Sequence, residues 1–487
     1  MNYLTRWKRK IKNLKTVSIP SHNKYSCIFD SIMSSKLPPA LIRSLIEEYN
    51  IEEEEFITSH ESGEQLTSVR INPFKPSNLF NYEEQVPWCE NGRYLKQRPS
   101  FTADPLFHAG CYYVQEASSM FLEQVLKHCV DLTENLRVLD LCAAPGGKST
   151  LISSLLNKRS LLLSNEIIKT RVPVLCDNLN KWGPENTYVS NNDPKDFKRL
   201  EGYFDAIIVD APCSGSGMFR KDPTAINEWS ESAVDLCSQR QKRILADVYP
   251  AIKQNGTLIY STCSYSKQEN EEISDWLFEE FDLSAIQIPL KSEWGILETL
   301  SDQHKCFGYR FYPHKVKGEG FFIAAFRKNQ ATASPHIKRA KENSITQKNE
   351  DLIRRWLKHS EDIRIINLSD EYFAIQSRHE ADLQYLQSNL YLKKSGVRIG
   401  KIMGKDLVPN HELALSLILN DEISRVNLTR EKAISYLKRD ELKLENRQRG
   451  WVLICYQGHT MGWAKMLDNR MNNYFPKEMR IVNPNII

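Results

Sequence analysis

Between Arg137 and Tyr260, apolar runs of strand length alternate with segments of helical period, and this alternation leaves few folds open. Arg137–Leu141, Ser160–Ser164, Thr187–Ser190, Asp205–Val209 and Thr257–Tyr260 read as strands. Ser149–Leu156, Lys169–Lys181 and Leu236–Ile252 read as helices between them, the second expected to be irregular at Pro173. Such alternation predicts an α/β protein with a doubly wound, Rossmann-like parallel sheet. Gly320–Phe326 predicts a closing strand of the same sheet. In a sheet of this kind the carboxyl ends of neighbouring strands form the ligand crevice.

Two cysteines are delivered to that crevice. Cys213 lies in Asp210-Ala211-Pro212-Cys213-Ser214-Gly215, just past the strand Ala206–Val209. Cys263 lies in Ser261-Thr262-Cys263-Ser264, just past Thr257–Tyr260. Cysteine is often only a small buried hydrophobe, a reading that suits Cys129, Cys176, Cys237 and Cys455. Two thiols at strand ends instead suggest covalent chemistry on a substrate that also meets a cofactor.

The first strand runs into Cys142-Ala143-Ala144-Pro145-Gly146-Gly147-Lys148-Ser149. The Gly-Lys-Ser ending resembles a phosphate-binding loop, but the position that must be glycine there is Cys142. A tight glycine turn between strand and helix still brings backbone N–H groups close to a ligand. Glu166 closes the next strand, 19 residues past Gly147, which is about the separation at which an acid takes ribose hydroxyls in dinucleotide folds. Asp193 follows the third strand, where a further acid could meet an adenine. S-adenosylmethionine has this ribose and adenine without a pyrophosphate, and its amino-acid portion would lie against the loop. Carboxylates at strand ends are also often merely exposed.

A chain of 487 residues suggests about three domains. With 41% hydrophobic and 26% charged residues, it has the composition of a globular protein with sizeable cores. No apolar run is long enough to span a membrane, and no signal-peptide pattern follows Arg6–Lys15. Eleven cysteines without a C-x-x-C pair argue against a disulfide framework and a zinc site, and for a cytoplasmic setting. Residues 1–36 carry eight Lys and Arg against one Asp, and the balance turns positive again after Arg327. Basic flanks suit a nucleic-acid partner, or are simply solvated faces.

The segments Cys142–Lys148, Asp210–Gly215 and Ser261–Cys263 resemble the Sun-type RNA cytosine-5 methyltransferase family. His108–Met120 and Arg220-Lys221-Asp222-Pro223 also match it. The likeness runs from about Leu37 to the C-terminus, is most specific across the catalytic domain, and points to the branch acting on bacterial small-subunit ribosomal RNA. It implies the fold named above, flanked by a small N-terminal α+β domain and a C-terminal PUA-like RNA-binding domain. The expected organisation is a basic extension over 1–36, an N-terminal domain over 37–104 and a catalytic domain over 105–328. A linker over 329–350 and the PUA-like domain over 351–487 complete it.

The resemblance further implies S-adenosylmethionine as cofactor, bound by Cys142, Ala143, Ala144, Pro145, Gly146, Gly147, Lys148, Glu166, Asp193 and Asp210. The Thr-Cys cysteine, Cys263, is then the nucleophile and Cys213 assists release of the adduct. Asp210 would stabilise charge at ring N3, for which a raised pKa is best. DNA cytosine methyltransferases use the Pro-Cys thiol with a downstream Glu-Asn-Val; this chain offers only Glu269-Asn270-Glu271. Arg220 and Lys221 are expected to meet RNA phosphate. The expected partner is ribosomal RNA or the small subunit, bound by a monomer. Alternatives are the same chemistry on tRNA, or a non-catalytic RNA-binding assembly factor.

Overall fold

A computed structural model describes residues 36–63, 65–337, 345–358, 361–442, 449–468 and 470–483. The expected basic extension, apart from Lys36, and residues 338–344 of the expected linker lie outside these residues.

The described residues begin with two helices, Pro39–Tyr49 and Glu53–Glu61. Strands β1 (Thr67–Ile71), β2 (Glu84–Gln85), β3 (Gly92–Leu95) and β4 (Tyr112–Val114) then form an antiparallel sheet in the order β2-β3-β1-β4. That sheet closes beyond the boundary expected at residue 104. The two helices do not pack on it. Leu41, Ile42, Leu45 and Phe56 instead bury against Phe219, Tyr265 and Tyr312 of the catalytic region.

The parallel core is β5 (Arg137–Asp140), β6 (Leu161–Asn165), β7 (Thr187–Ser190), β8 (Phe204–Asp210) and β9 (Ile252–Thr262). They lie in the order β9-β8-β5-β6-β7 and all neighbours are parallel. The order reverses at β5, so the crevice of a doubly wound sheet falls between the ends of β5 and β8. Strands β10 (Leu283–Ala285), β11 (Leu297–Leu300), β12 (Phe307–Phe311) and β13 (Phe321–Lys328) extend the far edge. β13 runs antiparallel to β9, with Phe322 opposite Thr262. Both faces are covered, one by a core around Leu139, Ile207, Leu258 and Phe322, the other by a core around Val138, Ile208, Ile259 and Ile323. Adjacent residues of one strand thus enter opposite cores, as the two-residue period of a strand requires.

Pro173 does not disturb a helix. The second crossover helix is Val172–Trp182, with the proline in its first turn, where the missing N–H has no partner to lose. Gly183 ends it in the left-handed region at φ 108°.

The C-terminal region holds two sheets. β14 (Ile363–Leu368), β15 (Glu371–Gln376), β17 (Val397–Met403) and β18 (Asp406–Pro409) form the first. β19 (Arg425–Asn427), β20 (Gly450–Tyr456), β21 (His459–Met466) and β22 (Met471–Asn473) form the second. One core joins them through Ile353, Ile365, Ala374, Leu453 and Trp463. β16 (Leu392–Ser395), between β15 and β17 in sequence, pairs antiparallel with β7 instead and so adds a strand to the catalytic sheet. The helix Glu380–Asn389 covers the same edge. Its buried Leu383 and Leu386 join the catalytic core, each worth roughly 1.5–3 kcal/mol of burial. Its Asp382 accepts from the Tyr203 hydroxyl at 2.8 Å and pairs with Arg137 at 2.9 Å. No helix among the described residues is long and apolar enough to cross a membrane.

Candidate active site

The entry to the glycine turn after β5 is pinned to the strands on both sides. Leu141 N–H donates to Ile208 O at 2.9 Å and Ala143 N–H to Asn165 O at 2.8 Å. Gly146 stands at φ 113°, a left-handed conformation that side-chain-bearing residues rarely adopt. A Cβ there would also sit 3.3 Å from Leu175 Cδ1. From this turn the helix Gly147–Leu155 starts, with its N-terminus at the crevice.

Lys148 projects from the first turn of that helix and meets Asp210 at the end of β8, Nζ to Oδ2 2.8 Å. Ser261, opposite Asp210 on β9, donates its hydroxyl to the other carboxylate oxygen at 2.9 Å. Burial works to lower the Lys148 pKa, but Asp210 and Asp140 overcome it, so the net shift is upward. The Lys148 ammonium also lies within electrostatic range of Cys263.

Asp140, absent from the expected set, ends β5 directly beneath the loop. Its carboxyl is fully buried and accepts from the Ser149 hydroxyl at 2.6 Å, while Oδ1 has no hydrogen-bond partner among the described residues. Burial pushes its pKa up to about 7, with Asp210 and Glu166 adding to the shift. Cys142 is likewise raised, first by burial and then by the same carboxylates, so it stays a neutral thiol.

Glu166 is 3% exposed at the end of β6. Its Oε1 accepts from Ile168 N–H at 2.8 Å and Oε2 lies 3.5 Å from Arg171. Arg171 also donates to the Ala144 carbonyl, so it bridges the acid to the glycine turn. Asp193 lies past the end of β7 and caps the short helical turn Pro194–Leu200 through Lys195 N–H at 3.1 Å. Asn165 ties these strand ends together, donating to Leu141 O and Asn192 O and accepting from the Ser190 hydroxyl.

The two thiols meet. Cys213 Sγ and Cys263 Sγ are 3.1 Å apart, although 50 residues separate them in sequence. The loop holding Cys213 can approach that closely because of Gly217, whose N–H donates to Cys263 O at 2.8 Å. A Cβ on Gly217 would fall 2.8 Å from that same carbonyl. The Cys213 pKa is raised well above that of a free thiol, first by its hydrogen bond with Cys263 and then by burial.

Arg220 does not present itself to solvent. Its side chain is 5% exposed and its guanidinium holds Glu319, at 3.1 Å for the closest ion-pair contact, and the Gly318 carbonyl at 2.8 Å. It therefore joins the segment leading into β13 to the stretch that follows the Cys213 loop, rather than lining an open surface. Lys221, beside it, is exposed.

Three family models match successive parts of the chain. They describe the N-terminal domain of 16S rRNA methyltransferase RsmF over residues 37–117, 16S rRNA methyltransferase RsmB/F over 127–327, and the methyltransferase RsmF PUA domain over 424–481. The chain is 30% identical to ribosomal RNA small subunit methyltransferase F of Psychromonas ingrahamii, the match covering 85% of this chain and 90% of that one. It is 31% identical to the protein of the same description from Vibrio atlanticus, covering 81% and 85%. Among solved structures it is similar to a methyltransferase homolog from Pyrococcus horikoshii, at 27% identity and TM-score 0.52, over 61% of this chain and 98% of that one. NSun6 of the same organism, solved with SFG, shares the fold at 18% identity and TM-score 0.50, over 60% and 98%.

Proposed function

The chain belongs to the 16S rRNA methyltransferase RsmB/F family, and we propose that it methylates carbon 5 of a cytosine in small-subunit ribosomal RNA through a covalent bond from Cys263 to carbon 6. It is a methyltransferase with a Rossmann-like fold and a C-terminal PUA domain.

The observation that carries the proposal is the pair of thiols 3.1 Å apart at the crevice, next to the Lys148–Asp210 pair. Carbon 5 of cytosine is a poor nucleophile until a group adds at carbon 6. Cys263 suits that addition, because a thiolate is strongly nucleophilic near neutral pH, and it stands at the crevice beside Cys213. Cys213 is held as a thiol by its contact with Cys263 and its burial. It can therefore donate a hydrogen bond to the Cys263 sulfur in the elimination step, in which water takes the proton from carbon 5, the C–H pair forms the C5–C6 double bond and the C–S pair returns to sulfur. Asp210, with both oxygens already engaged by Lys148 and Ser261, is proposed to face ring N3. The target base must leave its stack to enter such a crevice.

The residues around the glycine turn fit S-adenosylmethionine, which supplies an electrophilic methyl group on a positively charged sulfur. Glu166 and Asp210 both lie within electrostatic range of Asp140, whose Oδ1 is buried without a hydrogen-bond partner among the described residues. A cation beside them would offset their mutual repulsion. Cys142, Ala143, Ala144, Pro145, Gly146, Gly147 and Lys148 would enclose the amino-acid portion. Glu166 would take the ribose hydroxyls in place of Arg171, and Asp193 would meet the adenine. Lys221 and the PUA domain are proposed to meet RNA.

Two substitutions test the mechanism. Cys263→Ala should abolish methylation and leave cofactor binding intact. Cys213→Ala should accumulate a covalent protein–RNA adduct, seen on a denaturing gel with labelled RNA. Full turnover by Cys263→Ala, or an adduct with Cys263→Ala and none with Cys213→Ala, overturns the assignment.

A further inference from the structure

Glu269 lies outside the glycine turn and both cysteine motifs, yet its side chain reaches both cysteine loops. It is fully buried, at 0% exposure, and none of the ion pairs among the described residues includes it. Oε1 accepts from Ser214 N–H at 2.8 Å and from Gln241 Nε2 at 3.1 Å. Oε2 accepts from the Ser214 and Ser264 hydroxyls, both at 2.5 Å. Ser214 directly follows Cys213 and Ser264 directly follows Cys263. One carboxylate therefore grips the neighbour of each thiol.

The surrounding bonds reinforce the grip. Tyr260, at the end of β9, donates its hydroxyl to the Glu269 carbonyl at 2.6 Å. Asn270 accepts from Thr262 Oγ1 at 2.6 Å and donates to the Ser264 carbonyl at 2.8 Å, so Cys263 is bracketed on both sides. Gln241 also donates to the Pro212 carbonyl at 3.1 Å, which fixes the residue before Cys213.

Burying a carboxylate without a cation is costly unless its lone pairs are filled by donors. Here an amide N–H, a side-chain NH₂ and two hydroxyls converge on it. A carboxylate accepts all four, and at Oε2 it can draw both hydroxyls to the same oxygen, whereas a glutamine would present its NH₂ there and reverse the direction of both bonds.

We propose that Glu269 is a positioning residue that holds Cys213 and Cys263 at the spacing needed for release of the RNA adduct. The inference rests on the two-thiol reading above. Adduct formation uses Cys263 alone, whereas release uses both sulfurs. Loosening the clasp should therefore slow release more than addition, since sub-ångström to ångström misplacements of reacting groups carry large rate penalties.

The test follows single turnover on labelled RNA with the full-length protein, for Glu269→Gln, Ser214→Ala and the two cysteine variants. Calorimetry with S-adenosylmethionine runs in parallel. Glu269→Gln and Ser214→Ala should bind cofactor as the parent does and form adduct at a rate within about threefold of it. Their adduct should persist at least about tenfold longer. Ser214→Ala removes one hydroxyl and settles the matter if Glu269→Gln fails to fold. Release at the parental rate in Ser214→Ala, or a parallel loss of cofactor affinity and first turnover, overturns the positioning role. If Cys213→Ala itself accumulates no adduct, the two-thiol reading fails. If it does while the clasp variants release normally, only the role of Glu269 falls.

Discussion

Asp140→Asn should change the pH dependence of both stability and cofactor affinity. Burial raises the Asp140 pKa from an ordinary 3.8 to about 7. A difference of about three units corresponds to roughly 4 kcal/mol between the two protonation states, at 1.36 kcal/mol per unit. The folded state keeps a proton that the unfolded chain releases above about pH 4. The contribution to stability is therefore complete below about pH 4 and is lost as pH rises through about 7, with a limiting slope near 1.4 kcal/mol per unit. Asn carries no such proton, so this component should vanish from the variant. Lys148, Asp210 and Glu166 face the same site and remain in both proteins, so the difference between the two curves isolates Asp140. Cofactor binding runs the other way. A cation favours the ionised carboxylate, so affinity for S-adenosylmethionine should climb with pH up to about 7 and should be flatter in Asp140→Asn. Denaturant titrations across this range give the stability difference. Calorimetry in buffers of different ionisation enthalpy counts the protons released on binding. Parallel stability curves for parent and variant, together with no proton release by the parent near pH 6, would falsify the reasoning.

Arg220→Ala and Lys221→Ala should separate cleanly. The first leaves Glu319 buried without its partner and should cost roughly 3–5 kcal/mol in denaturant unfolding, with no specific effect on salt dependence. The second should leave stability unchanged and reduce the log–log salt slope of RNA affinity by roughly 0.7; a slope unaltered by Lys221→Ala removes that residue from the interface. Deleting residues 351–487 should not yield a stable catalytic module, because it strips β16 from β7 and uncovers the core that Leu383 and Leu386 fill. A deletion variant with parental melting behaviour would show that edge to be dispensable.

The parallel sheet was legible because its strands are near-continuous apolar runs and three of them are followed by segments of helical period. Thr187–Ser190 agrees to the residue, and Gly320–Phe326 finds its place as the antiparallel neighbour of β9. The meeting of Cys213 with Cys263 was legible for the same reason: adjacent strands must bring their ends together. Sequence spacing could not show what each side chain finds there. Arg220 looked like a phosphate contact, but a Glu 99 residues later takes its guanidinium. Asp140 closes a strand in plain view, yet nothing local signals that its carboxyl is sealed under the loop. Glu269 stood out only as an imperfect match to another family's tripeptide. Its partners Ser214 and Gln241 are 55 and 28 residues away. β16 was illegible because Leu-Lys-Lys-Ser has little strand character of its own; pairing with β7 makes it a strand.

That added strand changes how the two ends of the molecule relate. An RNA-binding domain on a free linker could only raise the local concentration of its ligand. Here the C-terminal region is continuous with the sheet that carries the cofactor crevice. Asn191, just past β7, donates its backbone N–H to Tyr391 O at 3.0 Å. Its side chain donates to Glu166 O at 2.7 Å and to Ile167 O at 3.1 Å. Asn192 accepts from Tyr391 N–H at 2.8 Å. The backbone of the proposed ribose acid is thus one residue removed from the segment that leads into β16. At the other end, the PUA helix Arg430–Lys438 packs on Leu106 and Tyr112 beside the N-terminal sheet. RNA bound by the C-terminal region, as proposed, would therefore be held at a fixed place relative to Cys263, its register set by rigid geometry rather than by tether length.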